Sequence, residues 1–257
     1  MEPAISVFLP SYNKGEWVLD AMRSVFGQSR ADWELWLLEN SSDGRTNLIV
    51  EDELTRHFGL QELDGDEWLA ALKENGVHYE RLEGAEIERK RRETYMTSWL
   101  LNVYYPEASG KYVFYISDDD IIDPDCFEVM AGELDANPEY RIVYAGLRHY
   151  TPSAPGDCGP APDKGIPALD PKMFPGSVDN RVDGGQVMHW KACLDHLVYP
   201  YFEEGGSGTV SRHVDGIFLE RLVGRFPFWP INRYLVTHRW TELSVWSSKP
   251  PDTEMWR

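Results

Sequence analysis

The run AISVFLP, residues 4–10, is continuously apolar with β-branched and aromatic members, and WVLDAMRSVFGQ, residues 17–28, repeats its apolar positions at helical spacing. The first predicts a strand closed by Pro10, the second a helix. WELWLLEN, residues 33–40, is a second buried strand closed by the turn-rich NSSDGRT. Strand, helix and strand at this spacing make a right-handed crossover between parallel neighbours. Residues 48–75 are acidic and helical in pattern, and VHYERLE, residues 77–83, is a third strand. EIERKRRETYMTSWLLNVYYPEASG reads as helical up to Gly110, followed by the strand KYVFYIS. DPDCFEVMAGELDANPEY opens a helix with Asp123 as N-cap and Pro124 at the first helical position, and RIVYAGLRHY is a further strand.

The pattern then changes. From Thr151 to Val182 the chain turns to Pro, Gly and Asp, an irregular segment expected to be ordered by a ligand. It separates a first part, residues 1–150, from a second, residues 151–257, in which helices and short strands alternate without a repeat. Both parts belong to one α/β domain, the second forming a smaller lobe.

Composition narrows the partners. The 257 residues carry a formal net charge of -18, which disfavours nucleic acid and anionic membranes, since both need clustered Lys and Arg. An anionic small molecule is admissible only where a local cation or helix N-terminus receives it. Cys126, Cys158 and Cys193 lie far apart with no metal-ligand spacing, which fits reduced thiols in a cytoplasmic protein. No stretch has the apolar length of a membrane span and MEPAISVFLPSYN is not a leader, so the chain is expected to be soluble and unprocessed.

Against that acidic background, YISDDDIIDPD places Asp118, Asp119 and Asp120 side by side after a strand. Adjacent carboxylates raise the cost of ionising one another. A hard cation, Mg²⁺ or Mn²⁺, offsets it by taking one or two carboxylates while substrate phosphates complete its shell. The alternative is a solvated acidic helix N-terminus. PSYN, after the first strand, can present an aromatic face for stacking, or be a plain turn with Tyr12 packed inside.

SVFLPSYNKGEWVLDAMRSVFGQSRADWELWLLENSSDG together with GKYVFYISDDDIIDPD resembles the inverting family 2 glycosyltransferases of the GT-A fold, most closely the bacterial spore-coat polysaccharide type. The likeness runs from Ile5 to about Tyr150 and continues more weakly through DGGQVMH and HVDGIFL. It implies a Rossmann-like, mostly parallel central sheet flanked by helices, and a hexosyltransferase type of activity in polysaccharide biosynthesis. A sugar would move from a nucleoside diphosphate donor to a saccharide or other hydroxyl acceptor.

By the same resemblance, Pro10 and Tyr12 lie at base and ribose, Asp118 at the ribose, and Asp119 and Asp120 at the metal. Glu39 and Asn40 replace two adjacent Asp, one of which reads the uracil N3 hydrogen; Asn40 aligns with the reader, leaving UDP or dTDP favoured and GDP possible. Arg91 matches a cation near the base or diphosphate, although Glu86, Glu88 and Glu93 could also salt it into a solvated helix. Asp215 aligns with the general base that deprotonates the acceptor hydroxyl, and an Asp before GIFLERL would also serve as an N-cap. His238 is a diphosphate or metal candidate, His189 is left out of the metal set, and Asp183, Gly184 and Gly185 are expected to line the acceptor pocket. The competing readings are a nucleotidyltransferase, for which PSYNKGE is a poor phosphate loop, and a non-catalytic sugar-nucleotide or carbohydrate-binding protein.

Overall fold

The computed structural model describes residues 2–157, 182–202 and 214–244. The expected ligand-ordered segment at 151–182 lies mostly outside these residues. One sheet of eight strands runs through the described protein in the order β3, β2, β1, β4, β7, β6, β8, β5. Its members are β1 Ile5–Ser11, β2 Trp33–Glu39, β3 Val77–Arg81, β4 Tyr112–Tyr115, β5 Ile121–Ile122, β6 Ile142–Tyr150, β7 Val187–Trp190 and β8 Phe228–Arg239. Parallel pairs join β3 to β2, β2 to β1, β1 to β4 and β6 to β8, while β7 and β5 run antiparallel to their neighbours. The sheet is therefore mixed and mostly parallel.

Helices cover both faces because the strands bury both. Ile5, Val7 and Leu9 point to a core shared with α1 Trp17–Phe26, α2 Thr46–Phe58 and α6 Cys126–Ala136. Phe8, Trp36 and Leu38 point the other way, to α5 Met96–Tyr104 and α7 Val214–Val223. Alternation of side chains along a strand divides one sequence run between two cores. Two further helices, α3 Gly65–Glu74 and α4 Ala85–Glu93, complete the set.

Three sequence expectations change at element ends. Pro10 does not end β1, which continues to Ser11 opposite Glu39. Alternation turns the backbone of Pro10 toward the β4 side, where pairing stops at Phe8, so its missing N–H leaves no ladder bond unmade. The helical run 86–110 breaks at Thr94, whose backbone is extended at φ -134° and ψ 163°, giving α4 and α5 in place of one helix. Asp123 does not cap α6. That helix begins at Cys126 after Asp125, while the Asp123 carboxylate receives both Arg148 terminal nitrogens, at 2.9 and 2.7 Å.

Chain order along the sheet reverses beside β1: β2 follows it on one side and β4, a later strand, lies on the other. Ligands in open α/β sheets bind at the carboxyl ends of the strands at such a point. The loop after β1 carries Tyr12 to Lys14, and the turn after β4 carries Ser117 to Asp120.

Candidate functional site

A cavity of about 500 Å³ opens at this reversal, and Pro10, Tyr12, Asn40, Arg91, Asp118, Asp119, Asp183, Gly184, Asp215 and His238 all line it. Of the candidate residues, only Glu39, Asp120 and Gly185 are absent from its wall.

At one end the loops after β1 and β2 are bonded together. Tyr12 is 46% exposed, its backbone N–H donates to Asp118 Oδ2 at 2.8 Å, and the Arg91 guanidinium stands 5.7 Å from the Tyr12 ring centroid. Tyr12 is thus a turn residue with an open ring and is not packed in the core. Arg91 donates to the carbonyls of Asn40, Ser41 and Leu82 and pairs with Glu88, so it fastens the loop after β2 from α4. Glu39 is buried and turned toward a smaller neighbouring cavity; burial raises its pKa, and Ser41 N–H donates to it at 2.6 Å. Asn40 Nδ2 donates to the Ser11 carbonyl at 2.7 Å, while Asn40 Oδ1 is buried with no partner among the described residues. A carbonyl only accepts, so the amide nitrogen must face Ser11 and the amide oxygen is left as an acceptor.

Three adjacent aspartates meet three environments. Asp118 takes the Tyr12 N–H and lies 3.5 Å from Lys14 Nζ; burial pushes its pKa up to about 7 against the pull of Lys14. Asp119 Oδ2 accepts from Lys14 Nζ at 2.6 Å and Ser244 Oγ at 2.7 Å. Burial would raise Asp119, but Lys14 and Ser244 hold it below the usual carboxylate range. Asp120 is fully buried because β5 begins at the next residue and pairs Ile121 with Thr237, setting Asp120 beside His238 and Arg239. It accepts the Arg239 N–H at 3.1 Å and lies 3.0 Å from His238 Nδ1. Burial lowers the His238 pKa, yet Asp120 and then Asp183 and Asp119 outweigh it and bring it up to about 10.

This geometry tests the expected metal set. Asp120 is absent from the cavity wall and is bonded to the Arg239 N–H and to His238, whereas His238 lines the cavity with its Nδ1 turned to Asp120. No cluster of three His, Cys, Asp or Glu is placed to hold a metal ion among the described residues. Asp119 does fit: it lines the cavity, and its Oδ1 has no hydrogen bond among the described residues. Hard divalent ions use one or two carboxylates and draw the remainder from phosphate and water, so Asp119 with Asp118 beside it is a sufficient protein share.

The far wall is built by the second part of the chain. Asp183 caps a short 3₁₀ turn, Gly184–Gln186, accepting the Gly185 N–H at 2.8 Å, while Gln186 Oε1 receives the Asp183 N–H at 2.7 Å. Asp215, in the first turn of α7, accepts the Gly184 N–H at 3.0 Å. A Cβ on Gly184 would stand 3.2 Å from Asp215 Cβ, so the glycine admits the close approach. Burial first and Asp183 second push Asp215 up to about 6, and burial also raises Asp183. His189 lies below in the apolar floor, with burial lowering it to about 4.

Two further residues matter that the sequence did not single out. Lys14 supplies the cation within the acidic run. Arg239, wholly buried, donates to the Asp119 carbonyl, to Asp20 Oδ2 at 2.6 Å and to the Trp17 carbonyl at 3.0 Å, tying β8 to α1 and to the acidic turn. The Lys in SYNK was visible as a lone cation in a candidate loop; for Arg239 no local signal existed.

No protein-family model matches the sequence. Among curated proteins it is similar to Protein CgeD of Bacillus subtilis (strain 168), 26% identical over 240 residues that cover 92% of this chain and 50% of CgeD. It is also similar to TuaG of the same organism, whose name assigns it to teichuronic acid biosynthesis as a glycosyltransferase, at 27% over 46% of this chain and 37% of TuaG. The chain thus spans half or less of the length of these relatives. Among solved structures it is similar to S. aureus TarS in complex with UDP-GlcNAc, with TM-score 0.60 and 15% identity over 96% of this chain and 61% of that one. The mannosyltransferase PcManGT from Pyrobaculum calidifontis, in complex with GDP-Man and Mn²⁺, gives TM-score 0.56 and 14% identity over 96% and 60%. The fold is that of the GT-A glycosyltransferases, and the sequence is similar to that of TuaG over 46% of this chain.

Proposed function

We propose that the protein is an inverting glycosyltransferase that moves a sugar from a nucleoside diphosphate to a hydroxyl acceptor in polysaccharide biosynthesis. One observation carries the reading: a single cavity joins the base-side residues Tyr12, Asn40 and Arg91 through Asp118 and Asp119 to Asp215. Donor and proton acceptor therefore share one space.

In this reading the base lies by Tyr12 and its ring N–H meets Asn40 Oδ1. Uracil and thymine carry such an N–H at N3, which keeps UDP or dTDP as the expected donor; guanine carries one at N1 and is the competitor. Asp118, fixed by the Tyr12 N–H, is available to a ribose hydroxyl. Asp119 with Asp118 would hold Mn²⁺ or Mg²⁺, which when bound neutralises the departing diphosphate. Asp215 removes the acceptor proton as the hydroxyl attacks from the face opposite the leaving group. A carboxylate with its pKa near 6 is ionised at neutral pH and still basic enough for the task. Asp183 and Gly184 border the acceptor side.

The test is thermal melting with Mn²⁺ and each of UDP, dTDP and GDP, followed by product analysis with the sugar nucleotide that binds. A raised melting temperature with one of them and release of nucleoside diphosphate are expected. Pyrophosphate as the product would instead point to nucleotidyl transfer, and stabilisation by no nucleotide would remove the reading.

A further inference from the structure

The acidic turn holds a cation of its own at the place where a donor diphosphate has to arrive. Lys14 Nζ lies 2.6 Å from Asp119 Oδ2 and 3.5 Å from Asp118 Oδ1, its side chain is 9% exposed, and it lines the cavity. An ammonium has three N–H donors and no acceptor. Only the Asp119 contact is short, since the Leu243 carbonyl stands at 3.4 Å, so donor capacity remains for an incoming anion. Lys14 is also the wrong cation to be purely internal. Arg239, which is internal, has no exposure and spends its guanidinium on Asp20, Trp17 and Asp119. Arg148 likewise closes on Asp123 and the Tyr234 carbonyl, outside the cavity.

The Asp119 carboxylate is asymmetric in the same sense. Its Oδ2 is filled by Lys14, Ser244 and, at 3.4 Å, Thr241, while Oδ1 has no hydrogen bond among the described residues. One oxygen serves the resident cation and the other is left for a cation that comes with the ligand.

We infer, on the basis of the glycosyltransferase reading, that Lys14 is a catalytic residue that donates to the diphosphate of the donor. In the transfer step the acceptor oxygen bonds to the anomeric carbon while the bond from that carbon to the diphosphate oxygen breaks. The electron pair leaves with the diphosphate, and the acceptor proton goes to Asp215. Lys14 stays protonated and meets the charge gained by the leaving group, an interaction stronger in the transition state than in the bound donor.

Calorimetry in EDTA with uridine, UMP and UDP, or the corresponding guanosine or thymidine series if that is the one bound, isolates the lysine from any metal. For Lys14→Met, UDP affinity should fall on the order of 10- to 100-fold, the range of one charge-assisted hydrogen bond, while uridine affinity moves less than about 2-fold. Lys14→Arg should recover most of the loss, and kcat should follow the same order in the assay with metal. Uridine binding doubles as the control for folding. If uridine and UDP weaken together, Lys14 only shapes the loop and the inference is overturned while the glycosyltransferase reading stands. If the wild-type protein binds none of the three series, both are overturned.

Discussion

Two pairs of carboxylates at this site are treated in opposite ways. Asp119 and Asp120 are consecutive in sequence and lie beside basic side chains, Lys14 at 2.6 Å from Asp119 and His238 at 3.0 Å from Asp120, while burial raises their neighbour Asp118 to about 7. Asp183 and Asp215 lie far apart in sequence, and backbone N–H groups of Gly185 and Gly184 are what meet them. A carboxylate beside a cation is kept ionised and poorly basic; one left with backbone donors and a like-charged neighbour is raised toward neutrality. Asp119 is accordingly lowered, and Asp215 is brought up to about 6. The first set suits holding charge in place and the second suits taking a proton.

The sharpest way to break this contrast is Asp215→Asn. An amide still accepts the Gly184 N–H but takes no proton, so kcat should fall by roughly 10²- to 10⁴-fold, the usual worth of a general base. Nucleoside diphosphate affinity, read by calorimetry, should stay within about 2-fold, because Asp215 is bonded to Gly184 and not to Tyr12, Asn40 or Arg91. Unchanged donor consumption would take Asp215 out of the chemistry. Next in size is Arg239→Met. It strips the buried Asp20 of its partner and frees the Asp119 carbonyl, and removing one member of a buried ion pair typically costs about 3–5 kcal/mol. Urea unfolding should show that loss; a change under about 1 kcal/mol would mean that the acidic turn does not depend on β8.

These two residues also mark how far the sequence could be read. The parallel half was legible because each strand is a short apolar run between turn signals, and the carboxyl ends of β1 and β4 follow from chain order alone. Asp118 and Asp119 were legible as a run. That Asp120 turns away was not, because it depends on β5 pairing with β8 more than a hundred residues later. His238 was read as a diphosphate or metal candidate from a lone imidazole; its contact with Asp120 needs the same pairing. Arg239 shares that origin. In the wall built by the second part of the chain, Asp215 accepts the Gly184 N–H next to Asp183, a contact that neither local pattern announces.

A middle-sized effect probes the base end, where Asn40 stands in place of a carboxylate. Since Ser11 fixes the amide nitrogen, Oδ1 is the amide atom left to accept, and in the proposed reading it should favour a base with a ring N–H over one with a ring acceptor. Uracil offers an N–H at N3 where cytosine offers a lone pair. UDP should therefore outbind CDP by about 1–3 kcal/mol, the cost of an unmade buried hydrogen bond, and Asn40→Ala should bring the two together. Competition binding with the two nucleotides reads this directly. A preference that survives Asn40→Ala would move base selection to Arg91 or Glu39.

The smallest effect concerns pH. In the proposed reading Asp215 is a base that works only when ionised, and burial brings its pKa up to about 6, so kcat/KM should be full at neutral pH and fall as pH drops through about 6. Part of that elevation comes from Asp183. Asp183→Asn removes the like charge while its amide oxygen can still accept the Gly185 N–H that caps the turn. The acid limb of the profile should then shift downward by about one unit or less, with little change in the plateau, because burial remains the larger cause. An acid limb that stays in place, or moves upward, would show that the two carboxylates do not sense each other across the Asp183–Gly185 turn, and the division between a charge-holding set and a proton-taking set would rest on burial alone.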